Sequence, residues 1–122
     1  MILYNDLDDR FYLQQNIVYA QKFIPKDTII PIEGIAVQKG STADVCTAYL
    51  DDYKFATLFN YDLQDYEYYI ICLGYPALFT ELNNAEKACF SLEYDENENV
   101  ILKSLRDIQE NEEIFFVGEA QE

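Results

Sequence analysis

Apolar residues in this chain come in short runs, many with a period of two, separated at close and regular intervals by polar or turn-forming clusters. The clearest case is residues 87–105. "KACFSLEY" alternates, "DENEN" turns the chain and "VILKSL" returns, which predicts a β-hairpin. Upstream, "RFYLQQNIVYA" (10–20) is rich in β-branched and aromatic residues and reads as a strand pair or one bent strand. "IPKD" then turns the chain, with Pro25 setting the first turn position and Lys26-Asp27 completing it. "TIIPIEGIAV" (28–37) predicts a strand, Pro31 marking an edge or bulge and Gly34 a bend, and "KGST" predicts a loop.

Residues 42–58 break this pattern. Val45, Ala48, Tyr49, Tyr53 and Ala56 recur near helical spacing, and Ser41 or Thr42 can cap a short helix. "NYDLQDY" (60–66) reads as a loop. "EYYIICLGY" (67–75) fits a strand or a buried helical turn, which periodicity does not separate. "RDIQENEEIFFV" (106–117) adds a turn at Glu110-Asn111 and a last short strand. With no internal repeat and no linker rich in Pro, Gly or Ser, residues 1–122 read as one mainly β domain with one short helix.

One stretch, "GYPALFTELNNAEKACF" (74–90), poses a functional question. The apolar run Ala77-Leu78-Phe79 leads into the short polar residues of 80–84 before a strand-like run resumes. A chain that leaves a core in this way often builds a binding site at the bend.

Composition narrows the chemistry. Half of the 122 residues are hydrophobic and 16% are aromatic, so the chain is expected to fold. Its longest apolar runs fall far short of a membrane span, and the N-terminus lacks the basic-then-apolar order of a signal peptide; an intracellular setting, cytoplasmic or nuclear, is expected. Cys46, Cys72 and Cys89 form no CxxC pair and sit among apolar neighbours in sequence, as buried reduced thiols do. With no histidine, imidazole triads, histidine metal sites and HExxH proteases are excluded, and no metal site is expected. Acid–base work would fall to carboxylates, tyrosines or lysines.

Charge changes the picture of partners. The net charge is −15, and the halves differ: residues 1–61 hold 8 acids and 5 bases, residues 62–122 hold 15 acids and 3 bases. Such a chain repels nucleic-acid phosphates and anionic membranes, and attracts basic protein tails. Acidity also serves solubility alone. "DENENVILKSLR" (95–106) opens like a calcium loop, but Val100 stands where glycine is needed and Arg106 where a bidentate glutamate is needed, so it reads as a hairpin turn. The adjacent acid pairs Asp8-Asp9, Asp51-Asp52 and Glu112-Glu113 point apart on a strand and assign no glycosidase pair. The four glycines form no GxGxxG, GxxxxGK or GxSxG motif.

Several segments together resemble a SET domain. "VYAQKFIPKDTIIPIEG" resembles its opening, a strand ending V-x-A followed by "xxIxKGxxI"; "LDDYKF" resembles the Y-x-F element of small SET proteins. "CLGYPALF" is similar to the "ALGYGSLFNHS" segment of short members, and "VILKSLRDIQENEEIFFVG" to the terminal "VRALRDIKKGEEITISYG". The resemblance spans about residues 10–118 in order, and the last segment is the most specific. It implies a β-clip fold of small sheets with a C-terminal pseudoknot-type crossing, and protein-lysine methyl transfer from S-adenosylmethionine.

The functional residues of that family are not matched. Gln15 and Ile17 stand where the family has its cofactor G-x-G, and Ile17 lacks glycine's freedom. The family's Asn-His-Ser falls on Thr80-Glu81-Leu82, and its terminal tyrosine on Phe116 or Val117. If cofactor binding survives, the resemblance implies Tyr75, Asn83 and Asn84 as contacts, with Tyr53 as a further residue on which activity would depend. Three losses together predict a chain that kept the fold and gave up the reaction, with S-adenosylmethionine binding lost. Three readings follow. The first is a SET-fold interaction module for a basic protein or peptide tail, able to pair as a homodimer. The second is an active, divergent S-adenosylmethionine-dependent lysine methyltransferase. The third is a small β protein of another fold.

Overall fold

The structure is a computed structural model and describes residues 8–60, 65–97 and 99–118. It is mainly β, built from three small sheets. The first is a hairpin of β1 (Phe11–Gln14) and β2 (Ile17–Ala20), so residues 10–20 form a strand pair. Its two turn residues, Gln15 and Asn16, have φ of 53° and 65°. Positive φ at both central positions matches the right-handed twist of the flanking strands.

The expected single strand over 28–37 is two strands in two sheets. β3 (Ile29–Pro31) edges a five-stranded sheet, and β4 (Glu33–Gln38) edges a three-stranded one. Pro31 lies on that edge, where its missing N–H costs no ladder bond. Gly34 is not a bend. It lies in the β4 ladder, where a Cβ would stand 1.9 Å from the Ile71 carbonyl oxygen.

The short helix expected within 42–58 is present at the start of that range. An α-helix, α1, covers only Thr42–Cys46, with Ser41 accepting from the Asp44 N–H as N-cap; a 3-10 helix follows over Ala48–Tyr53. From Lys54 the chain is already strand β5 (Lys54–Asn60). β6 (Asp65–Leu73) pairs with both β4 and β5, so the ambiguous run over 67–75 is a strand up to Leu73. The helical spacing misleads because none of its expected apolar positions from 42 to 53 is buried. Of the loop expected over 60–66, residues 61–64 lie outside the described residues, and Asn60, Asp65 and Tyr66 belong to strands.

A second 3-10 helix, Tyr75–Leu78, leads into β7 (Thr80–Leu82). β8 (Phe90–Tyr94) and β9 (Val100–Ser104) form the predicted hairpin. Its turn is held by Asp95, whose carboxylate accepts from the N–H groups of Asn97 and Asn99 at 2.8 and 2.9 Å. The last strand, β10 (Phe115–Val117), inserts between β7 and β8 and runs parallel to both, in the order β3-β9-β8-β10-β7. The β7–β8 connection therefore spans the C-terminal strand. This is the pseudoknot-type crossing.

The core gathers around Phe90, Leu102, Ile108 and Ile114, each fully buried. Burying side chains of this size is worth roughly 1.5–3 kcal/mol each. Phe11 meets the rings of Tyr75, Phe79 and Phe90 at 5.7, 5.2 and 6.5 Å, and Phe55 meets Phe116 at 5.6 Å. Two turns distant in sequence lock together: Ile24 and Ile108 exchange backbone bonds of 2.9 and 2.8 Å, and Asp107 accepts from the Lys26 N–H at 2.8 Å. Buried Ser104 completes the joint, donating to the Pro25 carbonyl and accepting from the Thr28 N–H. Cys72 and Cys89 are buried as expected, but Cys46 is exposed at the end of α1.

Candidate functional site

A cleft of about 510 Å³ opens where four segments meet. The β1–β2 hairpin supplies Leu13 and Asn16, and the 3-10 helix after α1 supplies Tyr49, Leu50 and Tyr53. The end of β6 and the second 3-10 helix supply Ile71 to Gly74, Ala77 and Leu78. Gly74, at φ 109°, lets the chain turn sharply from β6 into that helix. The lining is mostly apolar. Among the described residues, its polar side chains are the Asn16 amide, two phenols and the Cys72 thiol, with no charged residue.

Apolar side chains left in water converge on this cleft. Leu13, Leu73 and Tyr49 all line it and are 38%, 64% and 75% exposed. The nearby Ile35 is the register partner of Ile71 and is 62% exposed. A cluster of this kind marks a binding surface more often than scattered single residues do. Asp51 and Asp52 are exposed on the same 3-10 helix as the two tyrosines, and the Asp51 carboxylate is engaged by the Lys54 amine. A second depression, of about 500 Å³, lies between Glu33 and the 95–99 turn. Its Asp95 carboxylate is already engaged by backbone N–H groups, which hold its pKa below the ordinary 3.8.

The wall bearing Tyr49 and Tyr53 is positioned by Lys54. Its side chain is only 3% exposed, and Nζ reaches Asp44 Oδ1 at 2.8 Å, the Asp44 carbonyl at 3.2 Å and Asp51 Oδ1 at 2.7 Å. Nζ also lies 6.0 Å from the centre of the Tyr69 ring on β6. Burial works against the charged amine, but the Asp44 and Asp51 carboxylates prevail and raise its pKa above 10.5. The bond from Lys54 holds the Asp44 carboxyl below 3.8, and the Gly40 N–H adds to it.

The residues matched to the SET pattern fall in two places. Gln15 sits at the tip of the hairpin whose Leu13 and Asn16 line the cleft. Thr80-Glu81-Leu82 form β7, and in the parallel ladder Phe116 pairs with Glu81 and Val117 with Leu82. The structure thus brings together the two segments where the family has Asn-His-Ser and its terminal tyrosine. Glu81 extends along the end of β10, its Oε2 lying 3.3 Å from where a Cβ on Gly118 would stand. Phe116 and Val117 are 7% and 9% exposed and offer no hydroxyl.

Of the other candidates, Tyr75 is half-buried against Phe11, while Asn83 and Asn84 are exposed beyond β7, where Asn84 accepts from the Glu86 N–H. None of the three lines the cleft, although Tyr53 does. Leu13, Tyr49 and Leu73 were not singled out from sequence as a group. Apolar residues standing at exposed strand and helix positions carried the signal, but only the fold places them side by side.

No protein-family model matches the chain, and no curated protein sequence matches it. Solved structures do. A Plasmodium falciparum protein assigned as a histone methyltransferase is similar at TM-score 0.57 and 18% identity, over 95% of this chain and 97% of that one. The methyltransferase domain of human PR domain-containing protein 2 is similar at TM-score 0.63 and 11% identity, over 100% and 93%. ATXR5, solved in complex with mono-methylated histone H3.1, is similar at TM-score 0.63 and 18% identity, over 88% of this chain and 54% of that one. With three small sheets, a C-terminal strand threaded between β7 and β8, and these structural relatives, the fold of this chain is SET-like.

Proposed function

We propose that this protein is a SET-fold interaction module that has given up methyl transfer and binds a basic protein or peptide tail. One observation carries the reading. Where the family places the tyrosine that orients the target amine, this chain has Phe116 and Val117, both buried in the sheet beside Glu81. Transfer to a lysine needs that amine held in line by fixed dipoles. A buried phenyl ring and a valine supply none.

The cleft supports the same reading. S-adenosylmethionine carries an adenine, a sulfonium and an amino-acid end with a carboxylate. The two tyrosines and the leucines fit its apolar and aromatic parts, but among the described residues no cationic side chain lines the cleft to meet the carboxylate. The hairpin that matches the family's glycines here carries the side chains of Gln15 and Ile17 in their places. A largely apolar cleft walled by a 3-10 helix that also exposes Asp52, in a chain of net charge −15, suits a segment that presents an apolar residue flanked by lysines or arginines.

A second reading, an active divergent methyltransferase, is favoured by the survival of a cleft bordered by Tyr53 and the β1–β2 turn. The experiment that separates them is isothermal titration of S-adenosylmethionine and S-adenosylhomocysteine into the protein, followed by Lys/Arg-rich peptides at low and high salt. The module reading expects no heat with either nucleoside, and peptide binding that weakens as salt rises. Micromolar binding of S-adenosylmethionine, about −8 kcal/mol, would overturn it in favour of the enzyme.

A further inference from the structure

The cleft wall formed by residues 42–53 differs from the rest of the fold in what holds it. No residue of α1 or of the following 3-10 helix is buried; Val45 is 66% exposed and Tyr49 75%. Leu50 and Tyr53 are half-buried, so apolar burial, the main force elsewhere in the molecule, contributes less to its position than it does in the core. Its internal bonds are local: Val45 N–H to the Ser41 carbonyl, Thr47 N–H to the Ala43 carbonyl and Leu50 N–H to the Thr47 carbonyl. A helix of this length is not stable by itself.

Against that stands Lys54, the first residue of β5. Its amine reaches the Asp44 carboxylate and carbonyl on α1 and the Asp51 carboxylate on the 3-10 helix, and so joins both halves of the segment to the sheet. The side chain is 3% exposed and that of Asp44 16%, so this bond is screened less than one on an open surface, whereas Asp51 at 64% remains in water. Tyr69 of the central strand lies beside the amine.

We propose that residues 42–53 are a lid on the cleft, latched by the charge of Lys54, so that removing this one charge releases the lid while the sheets stay folded. Release carries Tyr49, Leu50 and Tyr53 away from Leu13 and Leu73 and changes the cleft from a walled site to an open apolar face. Charge, rather than shape, then governs access. The inference holds whatever ligand the cleft takes.

Amide hydrogen exchange read by mass spectrometry on the full chain tests it. The Lys54→Met variant keeps the aliphatic stem and loses the charge; Lys54→Arg keeps the charge; the double variant Asp44→Asn, Asp51→Asn removes the other side of the latch. The expected result is at least a tenfold faster exchange in residues 42–53 for Lys54→Met and for the double variant, near-parent exchange for Lys54→Arg, and unchanged exchange in β8 and β9. Unchanged exchange in 42–53 for Lys54→Met would overturn the proposal. So would equal acceleration in 42–53 and in β8 and β9, since that reports loss of the whole fold rather than release of a lid.

Discussion

Glu81 and Phe116 are register partners in the parallel ladder of β7 and β10, an exposed carboxylate beside a ring that is 7% exposed. The ring packs on Phe55 at 5.6 Å. Restoring the family's phenol here by Phe116→Tyr therefore places a hydroxyl in the core rather than in an open channel. The expected cost is about 1–3 kcal/mol, that of a buried polar group without a partner, read as a lower urea midpoint with unchanged slope. Gain of S-adenosylmethionine binding by this variant, with no loss of stability, would show that β10 still borders a working site.

Gly34 tests the sheet geometry. A Cβ at this position meets the Ile71 carbonyl oxygen at 1.9 Å and the Cys72 Cα at 3.0 Å, and both neighbours are backbone held in the β4–β6 ladder. A flexible side chain could move aside, whereas these atoms move only with the strand. Gly34→Ala is expected to cost about 3 kcal/mol or more, at or beyond the upper end for overpacking, and to lower the yield of folded protein. Parent-like thermal stability for this variant would contradict the pairing of Gly34 with Cys72.

The parts of the fold legible in the sequence were those set by neighbours in the chain. The β8–β9 hairpin follows from its alternation and from Asp95, whose carboxylate staples a turn within its own segment. The insertion of β10 beside β7 and β8 depends on partners far away in sequence, and only the resemblance implied it. Tyr49 and Tyr53 sat at helical spacing and suggested a longer buried face. The structure leaves them on a 3-10 helix with no fully buried residue, because Lys54 already starts a strand and bonds to Asp44 and Asp51 of the preceding segment. The cleft was legible only in part, through Tyr53. Leu13 and Leu73 are separated by sixty residues of chain and come to line one cleft only when β1 and β6 are in place.

Among the described residues, four that are not glycine have positive φ: Gln15, Asn16, Asp27 and Asn111. Asp27 and Asn111 fall where the resembled pattern has the glycines of "KG" and "KGEE", so the backbone retains the glycine conformation with residues that tolerate it. Gln15 is a poorer occupant of this region. Gln15→Gly is expected to raise stability by up to about 1 kcal/mol, the relieved left-handed strain outweighing glycine's entropy. Asn111→Gly is expected to gain less or to lose, because Asn111 Oδ1 accepts from the Tyr12 hydroxyl at 3.0 Å. Thermal melts of the two variants check the ranking, and a larger gain at 111 than at 15 would refute it.

Acid and base should act on different parts of the molecule. Asp8 is held below 3.8 chiefly by the side-chain bonds from Arg10, Asp44 by the bond from Lys54, and Asp95 by the Asn99 N–H. Each is depressed in the folded state, so its stabilising contribution is present above 3.8 and is lost as pH falls through 3.8 towards the folded value. Lys54 is raised above 10.5, so its contribution is present below 10.5 and is lost only as pH rises past its folded value. Between these limits the Lys54–Asp44 pair keeps its charges. Once corrected for the intrinsic pH dependence of exchange, protection of residues 42–53 relative to β8 and β9 is therefore expected to be flat between about pH 5 and 9, and to fall on both sides of the window. A midpoint for loss of lid protection near neutral pH would show that some other group controls the latch.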